Sequence, residues 1–258
     1  MGHTHSNLNP VNPGKPKRAA IVIANGTTSS STGWPVGFWW SELTHPHHIF
    51  SEAGWEVDIY SPAGGSCAWD AMSDPDDETE WQAEDQISRG YKHDPKFMAQ
   101  IQDTRPVRDL DIGAYDALVV AGGQAPMFTF ERATDLHEKF TAFYETGKVT
   151  AALCHGTAIL AFAKLSNGEP LVKGKTVTGF PNVEEDAADQ MTWNLGLLPQ
   201  GENVMPWRIE DSLKDLGANY IQAGAFKSFA IRDGNLVTGQ QNFSGAETAR
   251  MILEAVGR

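Results

Sequence analysis

The sequence has only two cysteines, Cys67 and Cys154, in 258 residues. Two thiols cannot build the disulfide framework of a small secreted scaffold, and reduced thiols fit a cytoplasmic location. Positive charge is also scarce: 20 Lys and Arg face 33 Asp and Glu, a net charge of −13. No basic cluster follows Lys15-Pro16-Lys17-Arg18. A phosphate backbone needs concentrated cations, so the composition speaks against nucleic acid as a partner. It speaks against an anionic membrane surface for the same reason. No apolar run approaches the length of a spanning helix, and no signal-peptide core opens the chain. Histidine runs out early, with His155 the last of eight.

What is present suits a globular α/β protein. With 41% hydrophobic residues and 10% aromatics, the chain can bury a proper core in one large α/β domain or two small ones. Residues 1–17 read as a polar, disordered leader containing His3 and His5. Residues 18–258 read as a single α/β domain, with residues 62–110 as an excursion from its sheet.

The apolar run at residues 18–25 looks like a strand buried on both faces, the kind that belongs to a parallel sheet. Residues 36–50 carry helical spacing, bent or restarted near Pro46 and stopped at Gly54. Residues 55–61, 115–123, 149–153 and 176–180 read as four further strands. Helices are expected over residues 96–102, 133–146, 205–217 and 246–256. A hairpin with an Asp233-Gly234 turn covers residues 229–239. Strands that alternate with helices imply a mostly parallel sheet flanked by helices on both faces, a flavodoxin-like sandwich. Ligands then bind beyond the carboxyl ends of the strands.

One stretch organises the rest: Ala151-Ala152-Leu153-Cys154-His155-Gly156. A short apolar run stops abruptly at Cys-His-Gly, and a helical run of small and apolar residues follows. Such a strand–turn–helix lifts one side chain to the carboxyl edge of the sheet, as a nucleophile elbow does. A thiol there meets unpaired N–H groups and the positive end of the helix dipole, which favour thiolate. The bland alternative is a small buried cysteine. Cys67, beside Gly64-Gly65-Ser66, reads as structural.

A cysteine nucleophile needs a base, an acid to orient that base, and donors for a developing oxyanion. A cysteine-dependent glutamine amidotransferase places its histidine well after the cysteine. None exists there, so that reaction is excluded, and a papain-type arrangement fails for the same reason. His155 is the natural partner.

Three elements together resemble the ThiJ/PfpI superfamily, in its heat-shock chaperone and glyoxalase III branch. They are Ala151 to Gly156, the Gly122-Gly123 turn, and Glu42 within Trp39-Trp40-Ser41-Glu42-Leu43. The likeness runs through Gly179-Phe180-Pro181-Asn182-Val183-Glu184-Glu185 and Asp233-Gly234-Asn235-Leu236-Val237-Thr238-Gly239-Gln240. It implies Cys154 as nucleophile and Glu42 against the sulfur as acid and base. It also implies His155 plus an acid after Phe180, with Glu185 favoured over Glu184, and N–H groups of Gly123 and His155 as the oxyanion site. Like charges beside each other should raise the Glu42 pKa. The cluster His45, His47 and His48 offers a metal site of the kind some relatives carry nearby, but its spacing around Pro46 is poor for a closed zinc site, so no metal and no cofactor is expected.

The turn reads Gly122-Gly123-Gln124, where many members of the branch carry histidine at the third position. Gln124 orients a substrate oxygen but carries no proton at neutral pH. The resemblance implies a glutathione-independent lyase that turns 2-oxoaldehydes such as methylglyoxal into 2-hydroxy acids. Two other readings stay open: a cysteine-dependent hydrolase, and a holding chaperone. For the chaperone, Trp34, Phe38, Trp39 and Trp40 would supply an apolar patch for unfolded clients. Homodimerisation is common among relatives and is implied here as well.

Overall fold

The computed structural model describes residues 16–257. Among the described residues eleven strands follow in chain order: β1 Arg18–Val22, β2 Thr27–Thr28, β3 Pro35–Val36, β4 Glu56–Ser61, β5 Arg105–Pro106, β6 Ala117–Val120, β7 Val149–Leu153, β8 Thr176–Val177, β9 Asn219–Tyr220, β10 Ala230–Asp233 and β11 Leu236–Gly239. The α-helices are α1 Trp40–Glu52, α2 Gln86–Lys92, α3 Pro95–Gln102, α4 Pro126–Thr129, α5 Thr134–Glu145, α6 Asn182–Asn194, α7 Ile209–Asp215 and α8 Gly245–Val256.

Seven strands form one sheet in the order β10-β11-β7-β6-β1-β4-β5. All neighbours are parallel except β10 with β11, which close a hairpin at one edge. The hairpin loop is Gly234-Asn235, with a positive φ of 64° at Gly234, which suits a type II′ turn. From β1 the chain winds outward through β4 to β5, then crosses back to β6 and β7 on the other side. The reversal sits beside β1, where an open α/β sheet leaves a crevice at its carboxyl edge.

The strand sequences explain the layers. Alternate residues of β1 go to opposite cores. Ala20 and Val22 join Leu118, Val120 and Ala152 under α5 and α7, where Phe140, Phe143 and Leu213 fill the space. Ala19 and Ile21 join Val119, Ala151 and Val237 under α1, α3 and α8, with Leu43, Phe97 and Ile252. Both faces are covered, so the central strands read as continuous apolar runs rather than alternating ones.

Several expectations shift. Residues 62–110 do not stay outside the sheet: they return as β5, a two-residue edge strand ending in proline. Helix α2, unforeseen, starts where the Asp85 side chain accepts the Ser88 N–H. β8 pairs with β9 in a separate two-stranded sheet. The apolar spacing of residues 205–217 yields a helix only over α7. The polar run after Phe180 folds as α6. Of the leader, residues 1–15, with His3 and His5, lie outside the described residues. Lys17 is tied to the sheet, its C=O accepting the Glu56 N–H and its ammonium 3.2 Å from Asp116. Among the described residues no helix is long and apolar enough to cross a membrane.

Candidate active site

Register decides what meets at the carboxyl edge. Val22 pairs with Val120, Val120 with Ala152, and Ala152 with Thr238. Two residues further along each strand stand Gly122, Cys154 and Gln240. The register of the parallel sheet alone therefore sets the thiol beside the glycine turn.

Cys154 sits at φ +53°. A non-glycine residue held there costs about 1–3 kcal/mol, a strain typical of elbows that aim a side chain out of a strand. The helix that follows is 3₁₀ over Cys154–Ala161 rather than α, and Thr157 Oγ1 donates to the Cys154 C=O at 2.6 Å.

His155 Nδ1 lies 3.6 Å from the Cys154 sulfur, and its Nε2 lies 3.0 Å from Glu185 Oε1. The Phe180 ring stacks on the imidazole with centroids 4.1 Å apart. Glu185 is buried on the first turn of α6, and its Oε2 lies 3.8 Å from Arg208 Nη1. Thiol, imidazole and carboxylate thus form a chain that runs inward to a guanidinium.

Glu42 approaches the thiol from the other side. It lies in the first turn of α1 and is fully buried. Its Oε2 accepts the Gly122 N–H at 2.7 Å, and its Oε1 is buried without a further partner among the described residues. Burial, above all, pushes its pKa up to about 8, against the hydrogen bonds from Cys154 and Gly122. Desolvation rather than like charge is therefore the main cause. Gly122 permits the approach: a Cβ there would stand 2.7 Å from Glu42 Oε2 and 2.8 Å from the His155 nitrogen.

The thiol does not sit low, as the elbow alone suggested. Burial pushes the Cys154 pKa well up, the Glu42 carboxyl adds to the rise, and the His155 N–H only partly opposes it. A helix terminus favours thiolate, but desolvation of a buried sulfur outweighs it here. The His155 N–H reaches that sulfur, and the Gly123 backbone stands at φ +101°.

The loop before α1 is laced in place. Trp39 N–H bonds the Gly122 C=O at 3.2 Å, and Ala125 N–H bonds the Gly37 C=O at 3.1 Å. The sequence reading missed Asp70, whose buried carboxylate accepts the Gly37 N–H at 2.9 Å and the Gln124 N–H at 2.6 Å. Burial lifts its pKa to about 7 despite those bonds. One acid in the apolar run Ala68-Trp69-Asp70-Ala71-Met72 was the available signal. The Gln124 side chain lines the site, and its Oε1 is buried without a partner among the described residues.

Glu184 does not touch the imidazole. Its Oε1 accepts the Phe226 N–H at 2.9 Å and Gln240 Nε2 at 2.7 Å. Its Oε2 is buried and unpaired among the described residues, on the wall of the same cavity. Phe38 and Trp40 are fully buried, so two of the four aromatics expected in a client-binding patch are core. The three histidines of α1 diverge: His45 pairs with Asp85 at 2.9 Å, while His47 bonds the Tyr91 hydroxyl at 3.1 Å. His48 packs edge-on to the Tyr91 ring.

A cavity of about 400 Å³ opens over Cys154, His155, Glu42 and Gln124. Known proteins share this arrangement of chain. The DJ-1/PfpI family profile matches residues 35–255. The probable glutathione-independent glyoxalase hsp3103 of Schizosaccharomyces pombe is 32% identical, over 87% of this chain and 92% of that protein. Among solved structures, Rapid Encystment Protein 24 KDa of Francisella tularensis has a TM-score of 0.81 at 28% identity, over 94% of this chain and all of that one. Glyoxalase III of Candida albicans has a TM-score of 0.73 at 28% identity, over 93% of this chain and 97% of that one. The matched span takes in Glu42, the glycine turn and the thiol elbow alike, and the chain belongs to the DJ-1/PfpI family.

Proposed function

We propose that the protein is a glutathione-independent lyase of the glyoxalase III type, converting a 2-oxoaldehyde and water into a 2-hydroxy acid. One observation carries it: a buried thiol stands between an imidazole and a carboxyl whose pKa is pushed up to about 8. A group that titrates near the working pH both gives and takes protons efficiently. The relatives named as glyoxalases support the same reading.

The steps balance without a redox partner. His155 Nδ1 takes the thiol proton, while Glu185 on Nε2 fixes the tautomer and steadies the cation. The sulfur adds to the aldehyde carbon, and the Glu42 carboxyl protonates the former carbonyl oxygen, giving a hemithioacetal. The Glu42 carboxylate then removes the hydrogen on that carbon. The electron pair moves into an enediol, whose second oxygen takes the proton from the imidazolium. Glu42 returns its proton to the neighbouring carbon and recovers one from the first hydroxyl, leaving a thioester. Water attacks the thioester, its proton passes through His155 to the sulfur, and the 2-hydroxy acid departs. The aldehyde carbon is oxidised as the ketone carbon is reduced. The Gln124 amide holds a substrate oxygen throughout and moves no proton.

The test is direct. Purified protein is incubated with methylglyoxal in the absence of glutathione, and D-lactate is measured. Wild type is expected to produce it and Cys154→Ala is not. Equal inactivity of the two would end this reading.

A further inference from the structure

The cavity over the thiol is larger and more apolar than a three-carbon aldehyde requires. Its volume of about 400 Å³ lies in the roughly 300–1,000 Å³ range of sites that enclose drug-sized ligands. Methylglyoxal has about five non-hydrogen atoms, which at the roughly 30 Å³ that one water occupies in the liquid fill no more than about 150 Å³. The surplus space has a definite character. Its polar lining includes Glu42, Gln124 and His155 beside the thiol, and Glu184, Thr192 and Asn242 elsewhere on the wall. Most of the remaining lining is apolar, with Trp34, Met72, Trp81, Met191, Val204 and Phe226.

Two of those walls stand out. Trp81 and Phe226 each leave 53% of their surface in water although both line the cavity. Phe226 is also held at φ +57°, a conformation that costs a non-glycine residue about 1–3 kcal/mol. Its N–H is anchored by Glu184 Oε1 at 2.9 Å, and Glu184 is anchored in turn by Gln240. Strain is thus maintained to keep a half-wetted ring over the site. An apolar guest would cover both rings and remove that surface from water, which is favourable in proportion to the area covered.

We infer that the substrates of this site are 2-oxoaldehydes with a bulky apolar substituent. The dicarbonyl sits at the thiol end, and the substituent lies between Trp81 and Phe226. The inference rests on the glyoxalase reading for its reactive end only; the apolar subsite stands on the cavity itself.

The experiment measures kcat/KM without glutathione for phenylglyoxal and methylglyoxal, in wild type, Trp81→Ala and Phe226→Ala. The wild-type ratio of phenylglyoxal to methylglyoxal is expected to exceed roughly ten, since apolar pockets gain about 10–200-fold per well-placed methylene. Each variant is expected to lower that ratio by about fivefold or more, losing more on the aryl substrate than on the methyl one. A ratio that stays below these values, or variants that slow both substrates alike, overturns the inference. If wild type converts neither aldehyde, the glyoxalase reading fails on its own. The subsite is then read by binding to Cys154→Ala, with acetophenone and acetone titrated against tryptophan fluorescence. Saturation by acetophenone at a lower concentration than acetone, weakened by Phe226→Ala, sustains it. Equal responses to the two ketones overturn it.

Discussion

Glu185 holds His155 from behind: its Oε1 lies 3.0 Å from Nε2, and its Oε2 faces Arg208 Nη1 at 3.8 Å. Arg208 also grips Asp189 at 2.5 Å and Asp186 at 3.1 Å. The acid that orients the imidazole is therefore fixed at both oxygens, and the imidazole presents Nδ1 to the thiol. Glu185→Gln offers an amide in place of a carboxylate and no longer stabilises the imidazolium. The expected loss in kcat is about 10²–10⁴-fold, the range for a disabled acid–base pair. Steady-state kinetics with methylglyoxal, alongside a melting curve to show an intact fold, checks it.

Glu42 makes stability depend on pH. Its pKa is about 8 in the fold against an ordinary 4.5. The native state holds that proton more tightly than the unfolded chain does. Its contribution is therefore complete below the ordinary value and is lost as pH rises through the folded one. Glu42→Gln cannot ionise, so it should gain stability relative to wild type as pH climbs from 5 to 8.5, by on the order of a few kcal/mol. Urea unfolding at a series of pH values measures the difference. A gap that stays constant across the series contradicts the assignment. The same variant should be inactive, because an amide moves no proton.

Asp70 ties Gly37 to Gln124, and so ties the loop that carries Glu42 to the glycine turn beneath it. Asp70→Ala leaves two buried N–H groups without an acceptor, which costs about 1–3 kcal/mol each. A rise in KM together with a fall in kcat is expected, since both walls of the site loosen. Asp70→Asn keeps one acceptor oxygen and should recover part of the loss. Thermal unfolding and methylglyoxal kinetics on both variants distinguish this from a purely structural role.

Cys154 is strained at φ +53°. Glycine adopts that conformation without penalty and alanine does not. Cys154→Gly is therefore expected to be more stable than Cys154→Ala by about 1–2 kcal/mol, although it has the smaller side chain. Both lack the proposed nucleophile. Chemical denaturation of the two variants decides it, and equal midpoints would show that the elbow is not strained.

Much of the fold was legible in the chain. The buried run of β1, the helix α5 and the hairpin β10–β11 follow from periodicity and turn residues, properties of neighbours in sequence. The helix α6 was not, because Glu184, Glu185, Asp186 and Asp189 look alike as a polar run. Only packing separates them: Glu185 turns to His155, Glu184 to Phe226 and Gln240, Asp189 to Arg208, while Asp186 remains largely in water.

The sequence by itself determined that a cysteine stands on a strand–turn–helix, that no histidine follows His155, and that Gln124 occupies a turn beside paired glycines. These are facts of residue type and order. The tertiary structure decided the protonation of the site. Burial raises both Glu42 and Cys154, against the elbow's pull toward thiolate. Desolvation is a property of every atom packed around a group. The residues that exclude water here come from α1, the Asp70 loop, the glycine turn and α6, far apart in the chain and brought together by the register of the sheet and the hydrogen bonds that lace these segments to one another.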